Sequence, residues 1–219
     1  MTLRIVDAGE GDLGAAALAL EAAFGADPLI AYFFRTHPLG VAPASREFFS
    51  LLLRLRLALG MPALVLKEGE KVLGAAMGYD TSRPVWPEPF AGEWDRLEAG
   101  TPGFADRLHA YEVLARSHAP AAPHHYLGVL GVHPSAQGSG SGKALLEAFC
   151  GRAQSDPFSS GVYLETSNSA SLEFYRRNGF VLRGADELEG ASLWCVFRPN
   201  ASAADSGSNV VASAGRADV

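Results

Sequence analysis

The feature that most constrains the fold is the stretch from Tyr126 to Leu146, YLGVLGVHPSAQGSGSGKALL. An apolar run typical of a buried strand ends at Pro134, a run of small residues follows, and an amphipathic helix then begins. Glycine and serine alternate over 138–142, so the loop carries little side-chain bulk and permits positive φ angles. The sequence therefore predicts a strand, a loop lined by backbone and a helix N-terminus in succession.

Such a loop favours a phosphate or pyrophosphate, because it presents unpaired N–H groups and the positive end of a helix dipole. Two common phosphate motifs do not fit. A P-loop needs glycine where Gln137 stands and Ser or Thr where Ala144 stands, so the Mg²⁺ ligand of a nucleoside triphosphatase is missing. A dinucleotide fingerprint needs a third glycine where Lys143 stands. A merely flexible Gly/Ser turn remains the alternative.

Composition narrows the classes of function. The chain has 219 residues, enough for one sizeable core. Its net charge of −6 and its lack of a basic block argue against a nucleic-acid binder. Cys150 and Cys195 lie in apolar segments without zinc-type spacing, so we expect two buried free thiols and no metal. The sequence shows no targeting pattern and no segment of membrane-spanning length without a charge or proline, so we expect a cytoplasmic protein without a membrane partner.

The remaining patterns predict an α+β fold with a mixed sheet. Strands are expected over 3–6, 63–67, 72–79, 126–132, 162–166, 180–182 and 191–197, and helices over 13–24, 28–34, 48–59, 94–97, 104–116, 143–155 and 169–178. The order of elements after position 126 implies a parallel central pair joined by a right-handed crossover. We predict one domain over 1–199 and a disordered Ala/Ser/Gly-rich tail over 200–219.

Two motifs carry a resemblance to a known family. Gln137, Gly140 and Gly142 fit Q-x-x-G-x-G, which resembles the acyl-CoA loop of the GNAT (GCN5-related) N-acetyltransferases. The run from Asn168 to Phe180, NSASLEFYRRNGF, resembles that family's N-x-x-[AS]-x-x-[FL]-Y-x-x-x-G-F motif. Because the two motifs are independent and in the right order, a chance match is improbable. Within the family, the short stretches 164–167, 174–175 and 194–195 look most like the puromycin-type acetyltransferases.

The resemblance implies a GNAT-type sheet, mostly antiparallel and flanked by helices, whose parallel central strands splay apart. It implies acetyl-CoA as the acyl donor, and transfer of the acetyl group directly to the amine of a small molecule. A backbone N–H within 130–132 would stabilise the charge that develops on the thioester oxygen, with Gly131 at a bulge. The cofactor-binding residues that we expect are Leu130, Gly131, Val132, Gln137, Gly138, Ser139, Gly140, Ser141, Gly142, Lys143, Asn168 and Tyr175.

The resemblance also implies catalytic roles. Tyr175 matches the family's proton donor to the leaving thiolate, although a half-buried aromatic on a helix is the plain reading. Asn168 would hold the pantetheine arm or simply cap the helix that follows. Glu165 is our first candidate for the base that accepts the amine proton, since it lies at the carboxyl end of a parallel strand. A surface carboxylate, or a partner for Arg176, is the alternative.

Other residues are weaker candidates in the same site. His125 and His109 are alternative bases, and Trp86, Tyr32 and Trp194 would form an aromatic pocket for a planar acceptor. The family often has basic residues where Ser139 and Ser141 stand, which leaves Lys143 and Arg176 as helpers for the phosphates.

Two other functions stay open. A non-catalytic acyl-CoA-binding sensor would keep the loop without the acid, and a protein or peptide N-acetyltransferase would have an open groove. Either a monomer or a homodimer is compatible with the sequence.

Overall fold

The computed structural model describes residues 2–201, which form one seven-stranded sheet with helices on both faces. The strands are β1 Leu3–Asp7, β2 Ala63–Glu68, β3 Lys71–Tyr79, β4 His125–Val132, β5 Gly161–Thr166, β6 Val181–Leu188 and β7 Ala191–Pro199. The helices are α1 Leu13–Ala23, α2 Pro28–Phe34, α3 Val41–Ala58, α4 Phe90–Gly100, α5 Phe104–His118, α6 Ser141–Ser155 and α7 Ser169–Arg177. Short 3₁₀ turns span Glu10–Asp12 and Pro134–Ala136.

The strand order is β1-β2-β3-β4-β5-β7-β6, and every neighbouring pair is antiparallel except β4–β5. The parallel pair is short: it joins only His125 to Val162 and Tyr126 to Tyr163. Beyond these positions the two strands diverge and leave a gap in the sheet. The predicted fold class, including the splayed parallel pair, is therefore confirmed.

Strand alternation divides the core between the two sheet faces. Ala63 and Val65 of β2 pack with α1–α5, whereas Leu64 and Leu66 pack with α6 and α7. On β5, Tyr163 lies on the face of α1–α5. Glu165 is two residues further along the strand, so alternation places its side chain on that same face.

A β-bulge interrupts the pairing of β3 with β4. Met77 pairs with Val129 and Gly78 with Leu127, so Gly128 is the extra residue. The expected bulge at Gly131 is therefore wrong, because Gly131 pairs regularly with Ala75. The bulge re-aims the strand just after its last contact with β5.

Local signals fix several helix ends as predicted. The Asp27 carboxylate caps α2 by accepting from the Leu29 and Ile30 amides, both at 3.0 Å, and Pro28 occupies the first helical position. The Asn168 side chain caps α7 by accepting from Ala170 at 2.9 Å and Ser171 at 3.3 Å.

Other predicted bounds are wrong. α3 begins at Val41 rather than Phe48, because Pro43 falls in the first turn, where its missing N–H costs nothing. α4 spans Phe90–Gly100, longer than 94–97, and α6 begins at Ser141. Strand β6 extends to Leu188, so the hairpin turn with β7 has only two residues, Glu189 and Gly190.

The C-terminal end of the described chain is tied to α6. Asn200 donates to the carbonyls of Ala153 at 2.8 Å and Ser159 at 2.9 Å, and the Ala201 amide donates to Gln154 at 2.7 Å. Of the predicted tail over 200–219, Asn200 and Ala201 are held by these hydrogen bonds, and 202–219 lie outside the described residues.

Within residues 2–201, no single helix is long and apolar enough to cross a membrane. The segments Glu10–Ala23 and Pro28–Phe34 meet the length and composition criteria only together, with a bend of 106° between them.

Candidate active site

Two cavities meet at the gap between β4 and β5. The loop cavity, of about 520 Å³, lies between α1, the 137–143 loop and the start of α7. The aromatic cavity, of about 580 Å³, lies between β3, β4, β5 and helices α2–α5. Four residues line both cavities: Phe24, Asp27, Leu130 and Ser171. A ligand could therefore extend from one cavity into the other through the opened sheet.

The loop cavity is lined by backbone donors. Gly138 has a φ of 76° and Gly140 a φ of 84°, values that glycine adopts without strain. The first helical hydrogen bond of α6 runs from the Ala144 amide to the Gly140 carbonyl at 3.0 Å. Among the described residues, no acceptor pairs with the six backbone amides of 138–143. This arrangement fits a pyrophosphate, which needs several converging donors.

The side chains around the loop are largely committed elsewhere. The Gln137 amide donates to the Val132 carbonyl at 2.9 Å and so ties the loop to β4. The hydroxyls of Ser139 and Ser141 bond to each other at 2.7 Å, and the structure does not bring either of these two expected residues to the lining of the loop cavity. Lys143 is exposed and does line it, whereas Arg176 pairs with Glu173 at 2.9 Å on the surface. Of the two cations expected to help, the structure brings only Lys143 to this cavity.

Strand β4 offers a free amide inside the gap. The His133 amide donates to Leu73 on β3 at 2.7 Å, in the register that pairs Gly131 with Ala75. Since amides alternate along a strand, the N–H groups of Leu130 and Val132 point away from β3, toward β5. There β5 does not pair with them. The Leu130 amide is therefore a hydrogen-bond donor at the junction of the two cavities.

Gly131 serves a packing role next to this amide. A Cβ atom at this position would lie 2.8 Å from Leu20 Cδ2, 2.8 Å from Phe24 Cε2 and 3.0 Å from Ala23 Cβ. Only glycine lets α1 approach β4 this closely, and Phe24, the residue that follows α1, then lies at the junction of the cavities. Gly131 thus lines the loop cavity, and the need for glycine at this position comes from the packing of α1 and not from a β-bulge.

Glu165 lies in the aromatic cavity and is the acceptor of two tyrosine hydroxyls. Its Oε2 accepts from Tyr111 at 3.0 Å and from Tyr126 at 2.9 Å. Burial raises the pKa of Glu165, and the hydroxyls of Tyr126, Tyr111 and Tyr163 oppose part of that rise by favouring the ionised form. Burial also raises the pKa of Tyr111 and Tyr126 well above the ordinary value, so they keep their protons and remain donors. Oε1 has no partner among the described residues.

Tyr175 lies on α7 and lines the aromatic cavity rather than the loop cavity. Its ring packs edge-on against Phe174 and Phe180, and 7% of the residue is exposed. Burial, followed by the nearby charge of Asp27, raises the pKa of Tyr175, so the phenol stays protonated. No described residue accepts a hydrogen bond from its hydroxyl. Asn168 caps α7 and also lines the loop cavity, so both of its expected roles remain compatible with its position.

Several weaker candidates lie outside the aromatic cavity. His125 bonds to Asp156 at 3.0 Å on the other side of the sheet, and His109 is exposed on α5. Neither histidine lines the aromatic cavity, so the structure does not bring either of these two alternative bases to the candidate site. Trp86 does line the cavity, but Tyr32 packs in the core beside it and Trp194 packs on the opposite face of the sheet.

Three cavity residues were missed by the sequence interpretation of the site: Arg56, Tyr111 and, beyond its role as a helix cap, Asp27. Asp27 lies at the junction of the cavities, and burial raises its pKa. The sequence carried a signal only for Asp27, as the acidic residue before Pro28. Tyr111 is 54 positions away from the glutamate that it contacts, so no local pattern could reveal the contact.

Comparison with known proteins agrees with this architecture. Residues 31–180 match the family model described as the acetyltransferase (GNAT) family. The fold is similar to that of the histone acetyltransferase HPA2 and related acetyltransferase from Corynebacterium glutamicum, with 24% identity and a TM-score of 0.67 over 92% of this chain and 98% of that one. It is also similar to a polyamine N-acetyltransferase from Drosophila melanogaster, with 20% identity and a TM-score of 0.65 over 90% and 98% of the two chains. A PaiA N-acetyltransferase from Thermoplasma acidophilum, solved with coenzyme A, matches at 12% identity and a TM-score of 0.56 over 91% and 99%.

Proposed function

Because the chain belongs to the GNAT family of acetyltransferases, we propose that it transfers an acetyl group from acetyl-CoA directly to the amine of a small molecule. The observation that carries the proposal is the joining of two cavities at the gap between β4 and β5. One cavity offers unpaired backbone amides, and the other holds a buried carboxylate and a protonated phenol. Bound acetyl-CoA would supply the activated acetyl group as a thioester.

Each group in the gap has a task in this reaction. The amides of 138–143, aided by Lys143, would bind the pyrophosphate. The Leu130 amide would donate to the thioester oxygen as negative charge develops on it. Glu165, through the unpaired Oε1, would accept the proton that the amine must lose, either directly or through a water. The Tyr175 hydroxyl would donate to the sulfur as the bond to carbon breaks.

The shape of the aromatic cavity supports a small acceptor over a protein. Trp86 and Trp94 contact each other edge-on, with ring centroids 5.1 Å apart, and both line the cavity. Trp86 belongs to the irregular segment 81–89 and forms part of the cavity wall beside Tyr79 of β3, to whose hydroxyl its indole donates. A protein or peptide N-acetyltransferase would instead present an open groove. The Drosophila neighbour forms N-acetylagmatine, and a small amine of that general kind is compatible with this volume.

The remaining assignments belong to the same proposal. We assign the chain to the puromycin-type subgroup on 164–167, 174–175 and 194–195, with one catalytic domain over 1–199. We also propose a cytoplasmic monomer or homodimer without nucleic-acid or membrane partners.

The test is acetyl-CoA turnover with a panel of amines, measured both as thiol release and as the mass of the acetylated product. We expect amine-dependent release, with Glu165→Gln and Tyr175→Phe strongly impaired while coenzyme binding is retained. Coenzyme binding without turnover on any acceptor would favour the sensor, and turnover on peptides alone would favour the protein acetyltransferase. Calorimetry with coenzyme A and with pantetheine tests the loop, because pantetheine lacks the pyrophosphate and should bind much more weakly.

A further inference from the structure

Arg56 is a buried cation without a counterion in the wall of the aromatic cavity. It lies in the last turn of α3, and only 4% of the residue is exposed. Its Nε and Nη1 atoms are buried and have no hydrogen-bond partner, and no carboxylate lies within ion-pair distance among the described residues. A buried guanidinium that lacks acceptors is costly, so its retention calls for an explanation.

Packing against Tyr79 offsets only part of the cost of burying the Arg56 guanidinium. The Arg56 guanidinium stacks over the Tyr79 ring, 3.9 Å from its centroid, and this contact recovers some of the lost solvation. The Tyr79 hydroxyl accepts from the Trp86 indole at 2.9 Å, so it is not turned toward the cation as an acceptor. Unlike Nε and Nη1, the Nη2 atom is not enclosed, and no described residue accepts a hydrogen bond from it, so Nη2 remains available to a ligand. Arg56 is the one basic residue among those that line this cavity.

The charges of the cavity suggest what that ligand carries. Besides this single cation, three carboxyl-bearing residues line the cavity: Asp27, Glu112 and Glu165. A phosphate would bring two negative charges to one guanidinium and face repulsion from these groups. A carboxylate brings one charge and accepts a charge-assisted hydrogen bond from Nη2. The acidic groups, for their part, attract a protonated amine.

We propose that the acceptor is an amine that also carries a carboxylate, and that Arg56 binds this carboxylate while the amine faces Glu165. The inference rests on the proposed function, because it names the class of acceptor for that same site. It separates this chain from the polyamine and agmatine enzymes that share its fold, since their named substrates carry no carboxylate.

Matched pairs of acceptors that differ only by the carboxylate test the proposal: phenylalanine and 2-phenylethylamine, tryptophan and tryptamine, arginine and agmatine. For the accepted pairs we expect kcat/KM to be about ten-fold or more higher for the member with a carboxylate, since a hydrogen bond to a charged group in a buried site is strong. In Arg56→Met this preference should fall to near unity, and Arg56→Lys should retain part of it. The comparison of variant with wild type cancels the difference in basicity between the paired amines.

Arg54→Met is the matched control. Arg54 lies two residues earlier on α3, pairs with Glu93 and does not line the aromatic cavity. Its loss removes the same charge from the same helix, so the preference should be unchanged. A wild-type preference for the amines without a carboxylate, or an equal loss in Arg54→Met and Arg56→Met, would overturn the proposal.

A binding measurement separates this inference from the proposed function. 3-Phenylpropionate has the carboxylate but no amine, so it should raise the Tm of the wild type and not that of Arg56→Met. Without ligand, Arg56→Met should be as stable as the wild type or more stable, whereas a purely structural arginine would lose stability. If no amine is acetylated but 3-phenylpropionate binds through Arg56, the proposed function fails and the carboxylate site stands. If amines are acetylated and neither the preference nor the Tm shift depends on Arg56, only the present inference fails.

Discussion

Removing the Tyr126 hydroxyl should shift the pH dependence of the enzyme toward higher pH. Tyr126→Phe deletes one of the two hydrogen bonds to Glu165 Oε2 and leaves the ring in place. A hydrogen bond to a charged group contributes about 1.5–3 kcal/mol, and one pKa unit corresponds to about 1.4 kcal/mol, so the pKa of Glu165 should rise by roughly 1–2 units. A base with a higher pKa is protonated over a wider acidic range. The acidic limb of kcat/KM should therefore move to higher pH by the same amount.

The assay is kcat/KM for acetyl transfer over a broad pH series, with the acceptor and acetyl-CoA concentrations well below saturation. Tyr111→Phe should produce a shift of similar size, because its hydroxyl also donates to Oε2. Tyr79→Phe is the control, since Tyr79 lines the same cavity but bonds to Trp86 instead. An acidic limb that stays in place in both tyrosine variants, or that survives in Glu165→Gln, would refute the role of Glu165 as the base.

Three further predictions follow from contacts in and around the site. Tyr175→Phe should lower kcat by about 10²-fold or more with little change in coenzyme affinity, and an unchanged kcat in steady-state kinetics would remove Tyr175 from the reaction. Gly131→Ala should lower the free energy of unfolding by about 1–3 kcal/mol in urea titrations, because the added methyl group clashes with α1. Gly151→Ala is the control: a Cβ there meets nothing within 4 Å, so the variant should gain about 0.5–1 kcal/mol from helix propensity. Equal stabilities of the two variants would contradict the packing argument. The thiols of Cys150 and Cys195 should react with a disulfide reagent only after unfolding, because both are buried and burial raises the pKa of each to about 11. Rapid labelling of the native protein would contradict their burial.

The parts of the fold that the sequence predicted depend on short-range signals. Pro134 ends the central strand, Asn168 caps α7, and Gly179 follows that helix with a φ of 86°. Each signal acts within a few residues, so the strand, the glycine-rich loop and the helix that follows it could be predicted from the local sequence alone. The same holds for the order of the second-half elements, which implied the parallel pair.

The parts that could not be predicted depend on which distant segments meet. Gly128 and Gly131 occupy similar apolar surroundings in YLGVLGV, and only the register with β3 decides that the bulge falls at Gly128. An arginine on a helix is ordinarily exposed, yet Arg56 is buried against Tyr79 of β3 in the wall of the aromatic cavity. The contact of Tyr111 with Glu165 requires α5 to cross the end of β5, which no local pattern specifies.

The two halves of the sheet share only two paired positions, at His125 and Tyr126. Because the sheet opens so soon, the facing edges of β4 and β5 keep backbone N–H and C=O groups that do not bond to each other. A substrate that enters the opening can bond to these backbone groups without first breaking hydrogen bonds between the two strands. The free-energy cost of leaving the two strands unpaired is therefore part of the stability of the folded state, and no cost of opening the sheet is added at each turnover.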